Sequence, residues 1–305
     1  MINLHIKDHT PIPLNRDGLD VVLHAICGRS GLNPSGARLI KFTNNAVFEL
    51  AQEPIVVRIA GSQTVRDRVP KIIAVAKWLT THGMPSVQLL PNVKQPIEAH
   101  GHLATIWHSV PATGIAATAS DLGRILRRFH SLPPPATPLP RWRPLRPIRQ
   151  RIAETDILPK SDRLFLESKC DELEGAIVDL RYSIPPGPIH GDSFIGNLIP
   201  GPTGPVICDF DSAAYGPREW DLTPTAVGKL RFAYAGNVHE ELAEAYGTDV
   251  TDWPGFPVLR QLRELQLVTS VLPVLHDNPS LTPQWRHRLT TFKSGDVEAV
   301  WTPYR

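Results

Sequence analysis

Cysteine is scarce in this sequence. Three cysteines occur in 305 residues, at Cys27, Cys170 and Cys208, and no two of them have the spacing of a paired motif. That number and spacing argue against a disulfide framework and against a zinc site. Cys208 lies within a short apolar run, which predicts a small buried hydrophobic side chain.

Long apolar runs and an excess of one charge are also missing. Thirty-two Lys and Arg face 30 Asp and Glu, which gives a formal net charge of +2. This balance indicates no polyanionic partner such as nucleic acid. No apolar run is long enough to cross a bilayer, and the polar, proline-broken residues 1–14 lack the core of a signal peptide. We therefore expect a cytoplasmic protein that binds neither membrane nor nucleic acid; the oligomeric state has no signal here.

One stretch in the second half of the chain concentrates oxygen-bearing side chains. Two short apolar runs flank the segment 200–205, which consists mostly of proline and glycine and predicts a hairpin. In such a hairpin, Asn197 and Asp209 fall at the same open end. Asp192 and Asp211 are close enough along the chain to join them. Amide and carboxylate oxygens are hard ligands, and a site with few of them suits magnesium shared with phosphates. A nearby carboxylate that does not coordinate the metal ion can accept a proton from an alcohol.

The order of these residues resembles that of the aminoglycoside phosphotransferase and choline-kinase-like family, whose members are relatives of the protein kinases. His190-Gly191-Asp192 is followed by Asn197, and Asp209-Phe210-Asp211 ends the second apolar run. Protein kinases carry His-Arg-Asp…Asn and Asp-Phe-Gly in the same order. The alternative is a set of ordinary loop acids. The resemblance implies transfer of the γ-phosphoryl group of ATP to a hydroxyl of an aminoglycoside, another antibiotic, a sugar or an amino alcohol, with antibiotic resistance among the implied roles.

The resemblance also implies a role for each oxygen donor. Asp192 would be the catalytic base that orients the acceptor hydroxyl. Asn197 and Asp209 would hold Mg²⁺. Asp211 would either bind a second metal ion or order its loop.

Two further residues are implied to support the catalytic loop. His190 would pack beneath it. The segment 216–222 is similar to the family's Gly-x-Pro…Asp-Leu segment. Within it, Asp221 would tie the following helix to the loop.

The first segment that the resemblance assigns to nucleotide binding is a predicted hairpin over residues 38–50. Asn44 and Asn45 separate its two apolar runs and suit a tight turn. In the family this turn covers the nucleotide phosphates, usually with more glycine, and Gly-x-Gly is absent here. The turn is therefore either a phosphate cover or a plain hairpin.

Arg58 is the candidate phosphate-binding cation of the following strand. Alternation over residues 55–59 places it on the face opposite Ile55, Val57 and Ile59. The resemblance gives this position a phosphate-binding lysine, and arginine keeps the charge and adds a bidentate fork. The alternative is a solvated arginine on an edge strand.

The helix that follows lacks the family's usual partner for that cation. Residues 64–81 contain no glutamate, and Asp67 is the only acid. Either Asp67 substitutes, or phosphate alone holds Arg58.

The strand over residues 102–108 leads to the implied hinge between two lobes. There the backbone of Ser109 and Val110 would meet the adenine ring. Trp107 is either a wall of the adenine site or, as aromatics on strands more often are, a core residue.

The first third is rich in predicted strands and the remainder is helical, and with this order the resemblance implies an α+β, bilobal, protein-kinase-like fold. Residues 1–110 would form a nucleotide-binding lobe with a small mixed sheet, and residues 111–305 a mostly helical lobe with the catalytic loop and acceptor site. Gly28 is predicted to stop the first helix and Ser120 to cap a later one. Residues 87–90 are predicted to form a strand. The predicted helices cover 16–27, 64–81, 121–132, 148–157, 162–180, 223–234, 238–246, 257–276 and 283–292.

The acceptor site has no clear signature. A polycationic drug needs several carboxylates, and the sequence offers a cluster at Glu240, Glu241 and Glu244, with Glu264 and Asp277 further along. Such a cluster is more often a solvated helix face, so a neutral hydroxyl compound fits at least as well.

Two other function classes stay open. One is a nucleotide-binding pseudokinase that acts through protein contacts. The other is nucleic-acid binding by the arginines of segment 141–151, which are otherwise a solvated connector with local ion pairs.

Overall fold

A computed structural model describes residues 12–43, 45–234 and 236–304 of the chain. The helices are α1 (Arg16–Ser30), α2 (Gln63–Arg66), α3 (Val69–Thr81), α4 (Ala119–Ser131), α5 (Leu145–Glu154), α6 (Lys160–Asp179), α7 (Glu219–Phe232), α8 (Val238–Tyr246), α9 (Phe256–Thr269), α10 (Leu272–Leu275) and α11 (Thr282–Lys293). The strands are β1 (Arg38–Phe42), β2 (Asn45–Glu49), β3 (Ile55–Ala60), β4 (Ile97–Ala99), β5 (His102–His108), β6 (Gly187–Ile189), β7 (Leu198–Gly201), β8 (Gly204–Ile207) and β9 (Ala214–Gly216). None of these helices combines the length and apolarity needed to cross a bilayer.

The chain divides into two compact units. The described residues of the first unit belong to the segments Met1–Ala116, Pro135–Pro138 and Asn197–Ala213. Those of the second belong to Ala117–Pro134, Leu139–Gly196 and Ala214–Arg305. The hairpin β7–β8 joins the first unit through the segment 85–87, because the N–H of Ile207 donates to the Pro85 carbonyl at 2.9 Å and the N–H of Val87 donates to the Ile207 carbonyl at 3.1 Å.

The first unit is built on a five-stranded antiparallel sheet in the order β1-β2-β3-β5-β4. Alternation along β3 places Val57 and Ile59 in an apolar core that α1 covers with Leu23 and Ile26. The predicted alternation is confirmed, because Arg58 lies on the other face of the strand. One face of the sheet is thus sealed by α1, and the other is available for a site.

The second unit is mostly helical, and its described residues also form the two-stranded sheet β6–β9. Gly123 lets α4 approach α8 closely, because a Cβ there would lie 2.6 Å from the carbonyl oxygen of Leu242. In the core, the guanidinium of Arg231 binds both carboxylate oxygens of Glu264, at 2.7 and 3.0 Å. Arg260 donates to the same carboxylate at 2.8 Å.

This buried pair gives a stability prediction. Replacing Glu264 by Gln leaves Arg231, which is 1% exposed, with an uncompensated charge. We expect the free energy of unfolding in urea to fall by about 3–5 kcal/mol. The matched control is Glu241→Gln on the exposed face of α8, which should change it by less than about 0.5 kcal/mol. Equal effects of the two variants would contradict the assignment.

Several predicted helix ends are wrong, each for a local reason. Helix α1 continues past Gly28 and ends at Gly31, whose φ of 69° suits a left-handed cap. A mid-helix glycine costs only about 1 kcal/mol, which packing offsets. Helix α4 is capped by Thr118 and not by Ser120, because Thr118 and Asp121 satisfy each other's backbone N–H groups in a capping box.

Two predicted helices are broken by proline. The helix predicted over 64–81 is interrupted between α2 and α3, because Pro70 has no N–H to donate to the preceding turn. Pro273 separates α9 from α10 in the same way. The strand predicted over 87–90 is also wrong, since this segment makes an isolated bridge at Leu89 only.

Candidate active site

A cavity of about 220 Å³ lies within the first unit, on the sheet face opposite α1. Alternate residues of β2, β3 and β5 point into it, because the other residues of these strands belong to the core beneath α1. The hairpin β7–β8 and the turn after it add further lining residues, as do β1 and α3. The lining residues used below are Asn45, Val56, Arg58, Trp107, Val110 and Asp209.

Arg58 is half-buried in this cavity and has a carboxylate partner. Its Nη2 lies 2.5 Å from Oδ2 of Asp211, and the two side chains are only 16% and 15% exposed. Asp67 instead accepts a hydrogen bond from Gln63 at 2.6 Å. The carboxylate that holds Arg58 therefore comes from the turn after β8 and not from the helix.

The helix contributes a cation to the same turn. Lys71 of α3 donates to the carbonyl oxygens of Asp211 and Ala213, at 2.6 and 3.0 Å. Burial lowers the pKa of Lys71 to about 8, with a smaller contribution from the charge of Arg68 and an opposing one from Asp211. Helix α3 thus fixes the turn that carries Asp211.

The hairpin β7–β8 brings two of the predicted metal ligands together at its open end. Leu198 pairs with Ile207, and the N–H of Cys208 donates to the carbonyl of Asn197 at 3.0 Å. Asp209 follows directly, with a φ of 66° in the left-handed region. The predicted hairpin is confirmed, and it leaves Asn197 buried and Asp209 on the cavity wall.

Asp209 and Asp211 have carboxyl groups in contact. Burial by itself would raise the pKa of Asp211, but a hydrogen bond with the Asp209 carboxyl and the charge of Arg58 together lower it. Asp211 is therefore ionised at neutral pH. The arrangement places two carboxylates and one strand cation side by side.

This oxygen set fits a magnesium ion that is shared with phosphate groups. The described residues include no cluster of three or more His, Cys, Asp or Glu able to hold a metal ion. The amide of Asn197 and the carboxylate of Asp209 are hard donors, too few for a cage made by protein alone. Mg²⁺ is characteristically bound by one or two carboxylates together with substrate phosphates and water.

Of the remaining residues predicted to contact the nucleotide, some line the cavity and others do not. Asn45 begins β2 and lines the cavity, as does Val110, whereas Asn44 lies outside the described residues. Ser109 uses its N–H to donate to the carbonyl of Pro54 at 2.7 Å. Trp107 is both buried, at 6% exposed, and part of the cavity wall, so the two alternatives for it coexist.

The second unit contains the His-Gly-Asp loop, which is anchored by Asp221 from the first turn of α7. Its carboxylate accepts the backbone N–H groups of His190 and Gly191 at 2.6 and 2.8 Å. His130 lies 3.1 Å from the same carboxylate. Burial would raise the pKa of Asp221, but the hydrogen bond and charge of His130 and the other contacts lower it. The indole of Trp220 donates to the Gly191 carbonyl at 2.9 Å.

Asp192 projects from this anchored loop into a second cavity, of about 550 Å³, within the second unit. Its Oδ1 accepts a hydrogen bond from Nη1 of Arg263 at 3.1 Å, and its side chain is 36% exposed. Arg263 also donates to Gln266 at 2.9 Å. An accessible carboxylate held by a cation can receive an alcohol in a defined direction.

Sequence reasoning did not assign Arg263 or Arg288 to this cavity. A signal existed along α9 and its C-cap, where Arg263, Leu267 and Ser270 have the i, i+4, i+7 spacing of one helix face and all line the cavity. For Arg288 no local signal existed, because its neighbours Phe232, Trp301 and Tyr304 come from two segments outside its own helix.

The acids considered for a cationic acceptor lie elsewhere in the second unit. Glu240, Glu241 and Glu244 are exposed on α8, in keeping with a solvated face. Glu264 is committed to the buried pair with Arg231, and Asp277 is exposed.

Arginine segment 141–151 also makes local ion pairs. Arg149 contacts Asp171 at 2.7 Å and Glu174 at 2.9 Å. These contacts favour the connector interpretation over a nucleic-acid site.

The fold is shared with kinases of small molecules. Amicoumacin kinase hAmiN, solved with AMP-PNP, Ca²⁺ and Ami, is 14% identical, with a TM-score of 0.70 over 94% of this chain and 98% of that one. A choline/ethanolamine kinase family protein from Mesorhizobium loti is 18% identical, with a TM-score of 0.64 over 91% and 93%. Aminoglycoside phosphotransferase APH(3'')-Id from Streptomyces rimosus is 19% identical, with a TM-score of 0.59 over 81% and 98%. The predicted α+β, protein-kinase-like fold is confirmed.

Sequence comparison gives the family directly. No curated protein sequence matches the chain. The profile of the phosphotransferase enzyme family, APH, matches residues 40–265, a span that contains the loop of Asp192, the hairpin β7–β8 and Arg58. This chain belongs to the phosphotransferase enzyme family.

Proposed function

We propose that the protein transfers the γ-phosphoryl group of ATP to a hydroxyl group of a small molecule. The observation that carries this proposal is the placement of the family's ordered residues at two cavities. Arg58 and Asp209 line the cavity of the first unit, and Asp192 lines that of the second. The similar folds of amicoumacin kinase hAmiN and of a choline/ethanolamine kinase family protein support a small-molecule acceptor.

The first cavity is the proposed nucleotide site. Arg58 grips the α- and β-phosphates with its guanidinium fork, and Asp211 holds that fork in place. Val110 and Ser109 are proposed to meet the adenine. Because the Ser109 N–H is already donated to Pro54, the backbone of Val110 is the better contact. Asn45, with Asn44, is proposed to cover the phosphates.

Asn197 and Asp209 are the proposed magnesium ligands. The ion, when bound, offsets the negative charge that builds up on the phosphate oxygens during transfer. Asp211 is proposed as the partner of Arg58, because its carboxylate already contacts that cation. The hairpin and Lys71 keep these donors fixed, so little reorganisation is needed when the nucleotide binds.

Asp192 is the proposed catalytic base, and the second cavity the proposed acceptor site. The acceptor oxygen attacks the γ-phosphorus, its bond to phosphorus forms, and the bond to the β-phosphate oxygen breaks with release of ADP. The proton of the hydroxyl passes to Asp192. Asp221 and His190 keep the loop rigid, because Asp221 accepts two of its backbone N–H groups.

A pseudokinase remains the second candidate. It would share the nucleotide cavity and lack turnover. The cation partner missing from the helix was its only support in the sequence, and Asp211 now supplies a partner for Arg58.

The proposal is tested by ADP release. The purified protein is incubated with ATP or GTP, magnesium and a panel of aminoglycosides, other antibiotics, sugars and choline-like alcohols. We expect ADP or GDP formation that depends on one class of acceptor and on magnesium. Nucleotide binding without acceptor-dependent release for any class would favour the pseudokinase.

A further inference from the structure

We propose that the acceptor carries an anionic group on a flat, largely apolar body, and that the site rejects polycations. This inference rests on the proposed function, because it assigns the second cavity to the acceptor. It follows from the charges and rings that line that cavity.

The cavity has the size of a site for a drug-like molecule. Its volume of about 550 Å³ lies within the range of roughly 300–1,000 Å³ that is typical of such sites. Aromatic and aliphatic side chains form much of its wall, among them Phe194, Phe232, Tyr234 and Leu267. Phe232 and Tyr234 stack with centroids 5.7 Å apart and an interplanar angle of 15°. Such walls favour a planar apolar ligand body.

The charge balance of the lining is positive. Among the described lining residues, Asp192 is the one acid, whereas Arg263 and Arg288 are both cations. Asp192 is already matched by Arg263, 3.1 Å away. Among the described lining residues, no second carboxylate balances the charge of Arg288.

Arg288 lacks an anionic partner. It is 2% exposed, and among the described residues no carboxylate lies within 4 Å of its guanidinium. Its Nε has no hydrogen-bond partner there either, and the buried hydroxyl of Tyr304 lies close enough to interact with this guanidinium. One Nη2 donation goes to the carbonyl of Thr302. An unpaired buried cation is costly, so a ligand that supplies the anion gains affinity.

Aromatic rings hold this guanidinium rigidly. Its central carbon lies 3.7 Å from the ring centroid of Tyr304, 5.1 Å from that of Phe232 and 5.6 Å from that of Trp301. A rigid fork with an unused donor is well suited to a carboxylate or phosphate. The same charge repels an ammonium group, and the acids of α8 that could attract one are not among the lining residues.

The test is a matched ligand series that differs only in charge. The probes are 4′-(hydroxymethyl)biphenyl-4-carboxylate, the corresponding carboxamide and the corresponding 4-aminomethyl compound, with kanamycin as a polycation. Affinities are measured by isothermal titration calorimetry without nucleotide, so the readout does not require turnover. We expect the carboxylate to bind at least about tenfold more tightly than the amine, the gain typical of a charge-assisted hydrogen bond.

Variants assign the preference to a residue. Arg288→Gln should bring the carboxylate and the amine within about threefold, with the carboxamide little changed. Tyr304→Phe, which keeps the ring, should weaken the carboxylate alone and decides the matter if Arg288→Gln does not fold. Arg286→Gln, on the exposed face of the same helix, is the control and should change nothing.

The outcomes separate this inference from the proposed function. Equal affinities, absence of binding, a preference for the amine or kanamycin, or a carboxylate preference that survives both variants would overturn it. Acceptor-dependent ADP release with kanamycin alone would also overturn it while leaving the phosphotransferase intact. A carboxylate preference without ADP release for any acceptor would leave the anion site and remove the phosphotransferase.

Discussion

Replacing Asp192 by Asn should lower the rate of phosphoryl transfer by about 10²- to 10⁴-fold, while nucleotide affinity stays within about twofold of wild type. The amide cannot accept the hydroxyl proton, but it keeps the size of the side chain. Asp192 lines the cavity of the second unit, so the nucleotide cavity of the first unit should be unaffected. Steady-state kinetics with the best acceptor and calorimetric titration of nucleotide measure the two quantities.

The matched control for this variant is Asp252→Asn. Asp252 is exposed in the second unit and lies outside the described lining of its cavity. This variant should keep the wild-type rate. A turnover of Asp192→Asn within threefold of wild type would remove Asp192 from the role of base.

Replacing Asp209 by Ala should abolish the part of nucleotide affinity that depends on magnesium. The carboxylate is the only charged donor in the proposed pair with Asn197, and Mg²⁺ depends on such oxygens. We expect the dissociation constant for ATP with magnesium to rise by about tenfold or more, to the value measured with excess chelator. An unchanged affinity in magnesium would contradict the assignment.

Asp211→Asn provides the comparison for that experiment. Its carboxylate contacts Arg58 at 2.5 Å, so its loss should loosen the phosphate-binding cation. Nucleotide affinity should then fall both with and without magnesium. A loss confined to magnesium would instead identify Asp211 as a ligand of a second metal ion.

The elements that follow from local pattern could be predicted from the sequence. Period-two alternation located Arg58 on its own face of β3, and turn-rich residues gave the hairpin that joins Asn197 to Asp209. Helix α8 and strand β5 match their predicted limits because apolar spacing and flanking breakers agree there. The ends of other helices could not be predicted, because a proline or a neighbouring capping side chain within two or three residues decides where the helix begins or ends.

The contacts that complete the candidate site could not be predicted in this way. Arg58 and Asp211 are 153 positions apart, and Asp67 was a plausible partner by proximity alone. In the structure, Gln63 donates a hydrogen bond to Asp67, one helical turn away. The carboxylate that contacts Arg58 is instead that of Asp211, in the turn after β8. Likewise, the rings around Arg288 come from separate segments, so only tertiary packing reveals its unpaired charge.

Transfer of a phosphoryl group from ATP to an alcohol is the proposed reaction of this chain. The most direct measurement follows the label from [γ-³²P]ATP in the presence of magnesium and the acceptor that stimulates ADP release. We predict that the label appears on the acceptor in equal amount to the ADP formed, and that Asp192→Asn prevents this. Label recovered only as inorganic phosphate, or retained in ATP with every acceptor class, would contradict the account.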